Sequence, residues 1–121
     1  MKTVAIMNDK ESLREIDKVC RICWPEMKVL STSFGKRGAK ITDKELPDII
    51  FLDLSLPDIS GFEVLKQIRQ RSHSPIIVVS GTNSSEDITM AFELGADEFI
   101  LKPIYQPELV AHVRTLTSKV K

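Results

Sequence analysis

Four short apolar runs in this chain each stop on a polar residue capable of chemistry. Val4, Ala5, Ile6 and Met7 run into Asn8 and Asp9. Ile49, Ile50, Phe51 and Leu52 end on Asp53, and Ile76, Ile77, Val78 and Val79 end on Ser80. Phe99, Ile100 and Leu101 lead to Lys102 and Pro103. Unbroken apolar runs of this length read as strands buried on both faces, the pattern of a parallel sheet. An open parallel sheet binds its ligands just beyond the carboxyl ends of its strands. Two acids, a hydroxyl and a lysine should therefore meet at one edge, a set suited to a divalent metal and a phosphoryl group.

Helical patterns fill the spaces between the runs, and this βαβα alternation argues for a doubly wound α/β fold. Leu13, Ile16, Cys20 and Cys23 recur at the spacing of one helix face, and Trp24-Pro25 ends that helix. Residues 27–32 read as a second strand. Residues 34–46 hold Gly35 and Gly38 and space their apolar residues loosely, which predicts a short or irregular helix. Ser60 and Glu63 fit a capping box opening a third helix, with Phe62, Leu65 and Ile68 toward the sheet. Ser84, Ser85, Glu86 and Asp87 open a fourth, with Ile88, Ala91 and Phe92 inward and Gly95 closing it. The last helix begins near Pro107 and carries Leu109, Val113, Leu116 and Val120 as its stripe.

With 121 residues, the chain is expected to be a single domain spanning 1–121, ending where its last helix ends. Seventeen basic and seventeen acidic residues give a net charge of zero, so nothing in the balance favours nucleic acid. No apolar stretch is long enough for a bilayer, and Met1-Lys2-Thr3 enters a strand without a signal peptide. A soluble cytoplasmic protein without membrane contact is expected.

Taken one at a time, the strand-end residues have plain readings. Asp9 stands where a helix N-cap belongs, a role that uses one carboxylate oxygen and leaves the other available. Asp53 could close a strand, Ser80-Gly81 could be a turn, and Lys102 could be a solvated strand end. Their coincidence carries the argument, since four independent turns seldom supply compatible chemistry.

The segment from Pro47 through Asp53, Pro57, Ser60 and Gly61 to Leu65 resembles the phosphoacceptor segment of receiver domains in two-component response regulators. Val78-Val79-Ser80-Gly81 resembles the same family's switch strand. Gly95-Ala96-Asp97-Glu98-Phe99-Ile100-Leu101-Lys102-Pro103 is similar to its stretch before the last helix. The likeness runs in order along essentially the whole chain. It implies a flavodoxin-like five-stranded parallel sheet in the order 2-1-3-4-5, with helices on both faces.

The resemblance also implies roles. Asp53 would accept a phosphoryl group from a sensor histidine kinase or a histidine phosphotransfer protein. Asp9, Asp53 and the backbone carbonyl of Ser55 would hold Mg²⁺, which favours such oxygen ligands. Lys102 would pair with a phosphoryl oxygen. Ser80 would report phosphorylation through its hydroxyl, and Phe99 would follow it sterically, having no hydroxyl of its own. The implied output surface is helix four, strand five and helix five, roughly residues 84–118, through which a homodimer is possible. The Lys102–Pro103 bond would be cis. Neither the kinase nor the output domain or target is named by these residues.

One departure stands out. Receivers usually carry two adjacent acids after the first strand, and this chain has Asn8-Asp9. Asn8 can orient a metal-bound water but brings no charge, so weaker Mg²⁺ binding is expected. The alternative is a pseudo-receiver that is no longer phosphorylated and serves as a protein-interaction module. An enzyme is not expected. A phosphatase of the haloacid-dehalogenase type needs a second acid two residues after the nucleophile, where this chain has Ser55. A flavin-binding flavodoxin is disfavoured as well, because Asp9 and Glu11 would repel the phosphate that its first loop must hold.

Three further features read as structural. Cys20 and Cys23 form a C-x-x-C late in a helix, and with no second pair they read as packing residues with reduced thiols. His73 and His112 read as solvated surface positions. Lys66, Arg69 and Arg71 read as the wet face of helix three.

Overall fold

The computed structural model describes residues 1–118. Five strands alternate with five helices in the order β1 (Lys2–Ile6), α1 (Lys10–Cys23), β2 (Lys28–Thr32), α2 (Gly35–Glu45), β3 (Ile49–Asp53), α3 (Gly61–Arg69), β4 (Ile76–Ser80), α4 (Ser85–Glu93), β5 (Glu98–Leu101) and α5 (Gln106–Ser118). The strands form one parallel sheet in the order β2-β1-β3-β4-β5, as expected. Val120, placed in the stripe of the last helix, lies outside the described residues.

Successive side chains on each strand point to opposite faces, so the continuous apolar runs feed two cores. Ala5, Phe51, Ile77 and Val79 pack with Ile16, Val19 and Cys20 of α1 and Leu109 and Val113 of α5. Val4, Ile6, Ile50, Leu52 and Val78 pack with Val64 and Leu65 of α3 and Ala91 of α4. β3 and β4 are buried along their whole length. Each such Ile, Leu or Phe contributes about 1.5–3 kcal/mol by leaving water.

α2 departs from expectation: it is a regular helix of 11 residues. Its glycines are explained by contact with its neighbours. A Cβ on Gly38 would stand 2.5 Å from the Ile6 side chain, and one on Gly35 would stand 2.6 Å from Val64. The helix gives up intrinsic propensity in return for close approach to β1 and α3.

Other local expectations need correction. The Ser60–Glu63 box has one arm, from the Glu63 amide to Ser60 Oγ at 3.2 Å; the Glu63 carboxylate lies instead 3.9 Å from Lys66 Nζ. Phe92 is 45% exposed rather than inward, because Ala91 takes the buried position beside it. His112 is half-buried, its Nδ1 3.6 Å from Glu98 Oε1 on β5. Arg69 is not on a wet face. Its guanidinium donates to the carbonyls of Gly95 (2.8 Å), Ser72 (3.2 Å) and Ser74 (2.7 Å) and to Asp97 Oδ2 (2.9 Å). Asp97 Oδ2 also accepts from the Ile76 amide, so one arginine ties α3 to the loops that lead into β4 and β5.

Cys20 is buried, with its Sγ 3.7 Å from Thr3 Oγ1, and burial pushes its thiol up to about 11. Such a thiol is unreactive at neutral pH, in keeping with a packing role.

Candidate functional site

Parallel strands present all their carboxyl ends on one side, which brings residues 8–9, 53, 80 and 102 to a single edge. Asp53 ends β3 and is 1% exposed. Burying a carboxylate demands partners, and both its oxygens have them. Oδ1 accepts the Ser55 amide at 3.0 Å. Oδ2 accepts the Asn8 amide at 3.1 Å and Lys102 Nζ at 2.8 Å.

Asp9 divides its carboxylate between two tasks. Oδ2 caps α1 by accepting the Ser12 amide at 2.9 Å, and Oδ1 accepts Lys102 Nζ at 2.6 Å. The Lys102 ammonium therefore bridges both acids. Burial pushes the Asp9 carboxyl up, but the Lys102 ammonium and the Ser12 amide outweigh it and hold the group below its ordinary range. Burial likewise pushes the Lys102 ammonium down, and the bonds to Asp53 and Asp9 outweigh that and raise it. The Lys102 amide donates to the Ser80 carbonyl at 2.7 Å, and Lys102–Pro103 is cis.

Ser80 closes β4, one residue beyond the pairing of Asp53 with Val79, and is 4% exposed. Its Oγ accepts the Thr82 amide at 3.1 Å and lies 3.3 Å from Thr82 Oγ1, which donates to Asp87 Oδ2 of α4 at 3.3 Å. Phe99, on β5, is half-buried against the core on the α3 and α4 side. A cleft beside the acids runs along α1, lined by Asp9, Glu11, Glu15 and Lys102.

The donor set suits a small hard cation. Among the described residues no three His, Cys, Asp or Glu side chains gather around one point. A metal here would draw on the two carboxylates that already converge on one positive charge, completed by a backbone carbonyl and water. Oxygen ligation with retained water is what Mg²⁺ favours.

Residues 4–114 match the family model described as the response regulator receiver domain. The chain belongs to the receiver-domain family of two-component response regulators. Among relatives of this receiver domain, the sensory transduction protein RegX3 of Mycobacterium tuberculosis (strain ATCC 25618 / H37Rv) is 36% identical over 117 residues, covering 96% of this chain and 51% of that protein. The cell cycle response regulator CtrA of Brucella ovis is 31% identical over 122 positions, covering 100% of this chain and 52% of CtrA. The receiver chain thus spans about half the length of the curated relatives it matches. A two-component response regulator from Clostridium difficile shares the fold, with a TM-score of 0.90 at 21% identity over 100% of this chain and 98% of that one. The BeF3-activated DrrB receiver domain superposes with a TM-score of 0.84 at 25% identity, covering 97% of each chain. Among the described residues, no helix is long and apolar enough to cross a membrane.

The receiver's strand-end residues Asp9, Asp53, Ser80 and Lys102 share the edge, and Asn8 meets Asp53 through its backbone amide rather than its side chain. That contact left no trace in residue type, because every non-proline residue carries the same donor. Asp58 sits in the segment between β3 and α3, yet its partners lie 22 and 23 residues away on α2.

Proposed function

We propose that this receiver domain is a phosphorylatable switch. Its Asp53 carboxylate attacks the phosphorus of a phosphohistidine on a sensor histidine kinase or a phosphotransfer protein. The P–N bond breaks, its electron pair returns to the imidazole, and an aspartyl phosphate forms on Asp53. One observation supports this above others: a single ammonium, Lys102, grips both strand-end carboxylates, one of them almost fully buried.

Asp9, Asp53 and the Ser55 carbonyl would hold Mg²⁺, with Asn8 orienting a bound water. The ion would offset the repulsion between the carboxylates and the incoming phosphoryl oxygens. Lys102 already stands within reach of Asp53 and takes a phosphoryl oxygen as a point charge. Ser80 turns its hydroxyl from Thr82 toward the phosphoryl group, and Phe99 moves into the space this opens. The readout is the surface of α4, β5 and α5, where Met90, Phe92, Leu101 and Tyr105 are exposed. Such a surface suits an output domain, a target protein or a second copy of the chain. This cycle belongs in the cytoplasm, where phosphohistidine donors are made.

Incubation with acetyl phosphate and Mg²⁺, followed by intact-mass measurement, tests the proposal. A single base-labile phosphoryl adduct is expected, and Asp53→Asn should abolish it. A wild-type chain that stays unmodified sinks the switch reading and favours an interaction module.

A further inference from the structure

α2 begins without a cap of its own. Phe34 stands at the N-cap position and has no side-chain acceptor, although the first amides of any helix lack partners within the helix. Asp58 supplies them from another part of the fold. Its Oδ1 accepts the Gly35 amide at 2.7 Å and its Oδ2 accepts the Lys36 amide at 3.0 Å. These bonds, the Lys36 amide foremost, hold the Asp58 carboxyl below its ordinary range.

Packing at the same turn points the same way. A Cβ on Gly35 would stand 2.8 Å from Ile59 and 3.2 Å from Leu56, so the segment on both sides of Asp58 is seated against α2. The segment is anchored at its ends as well. The Ser55 amide donates to Asp53 Oδ1, and the Gly61 amide donates to the Leu54 carbonyl at 2.9 Å. Ser55 itself is exposed, between the phosphoacceptor and this clamp.

We propose that Asp58 is a positioning residue for the cation site: by fastening the middle of the β3–α3 segment to α2, it sets where the Ser55 carbonyl stands relative to the Asp53 carboxylate. The proposal rests on the receiver reading, which assigns that carbonyl to Mg²⁺. Asp58 acts at a distance, through the backbone it restrains. Supports of this kind typically change metal affinity by 10- to 100-fold, and with one carbonyl at stake about tenfold is expected.

Isothermal titration of the full chain with MgCl₂ tests it. Asp58→Ala should weaken binding about tenfold. Asp58→Asn should recover most of the loss, because its amide oxygen still accepts one α2 amide although the charge is gone. Gly95→Ala strains a φ of +108° beside Arg69, far from the site. It should lower the melting temperature and leave Mg²⁺ affinity unchanged, separating positioning from general stability. Lys36→Pro deletes one donor and keeps the Asp58 charge, and it should weaken binding roughly threefold even if Asp58→Ala fails to fold. Wild-type affinity in both Asp58→Ala and Lys36→Pro overturns the proposal, as does Asp58→Asn as weak as Asp58→Ala. A wild-type chain that binds no Mg²⁺ overturns the receiver reading and this proposal together.

Discussion

One ammonium holds two acids together at the carboxyl edge of the sheet, and the electrostatics of the site follow from that. Two carboxylates held within 2.6 and 2.8 Å of the same ammonium repel by about 3 kcal/mol at an effective dielectric near 20, and Lys102 cancels most of this. Asn8 keeps a third negative charge out of the cluster. An aspartate there would add repulsion in the metal-free chain and attraction toward a bound cation. Because position 8 is exposed, solvent trims both effects. Asn8→Asp should therefore tighten Mg²⁺ binding about tenfold, near 1.4 kcal/mol, and lower the metal-free melting temperature. Calorimetric titration and thermal unfolding check the two halves separately, and an unchanged affinity would show that Asn8 does not limit the site.

Among the elements, α2 and α3 show where local rules give way. Residues 34–46 looked irregular because Gly35 and Gly38 are poor helix formers. Their use appears only when β1 and α3 are set against them. Gly38→Ala forces its new methyl to 2.5 Å from Ile6 and should cost about 1–3 kcal/mol, read as an earlier urea midpoint. Gly81→Ala meets nothing within 4 Å and should change stability by less than about 0.5 kcal/mol. A Gly38→Ala chain as stable as Gly81→Ala would show that the Ile6 side chain yields to the new methyl. Arg69 makes the same point from the other side. Helical spacing grouped it with Lys66 and Arg71, yet only 18% of its side chain is exposed while theirs are 55% and 72% exposed.

At the scale of the molecule, the sheet has two poles with different tasks. Arg69 fastens the pole where β4 and β5 begin, and Lys102 gathers charge at the pole where they end. The second arrangement makes stability depend on pH in a defined direction. Asp9 is held below its ordinary 3.8, so its contribution is present above that value and is lost as pH falls through the folded one. Lys102 is raised above its ordinary 10.5, so its contribution is present below that value and is lost as pH rises through the folded one. The bridge thus stabilises throughout the interval between 3.8 and 10.5. Denaturant titrations across pH should show the alkaline loss disappear in Lys102→Met and the acid loss shrink in Asp9→Asn, which keeps the cap of α1. An alkaline limb unchanged in Lys102→Met would place that titration elsewhere.

The order of strands and helices, the parallel character of the sheet and the residue types along its carboxyl edge could all be read from the chain, because each depends on local periodicity and on where apolar runs stop. Strand ends that carry acids, a hydroxyl and a lysine keep that chemistry however the helices pack. The division of labour within each group needed the folded molecule. One oxygen of Asp9 serves Ser12 and the other Lys102, the Asn8 amide rather than its side chain meets Asp53, and Asp58 reaches across to α2. Phe92 faces outward and Arg69 inward for the same reason. Contacts between residues far apart in the chain leave no periodic mark, so only the assembled sheet and its helices decide which atoms meet.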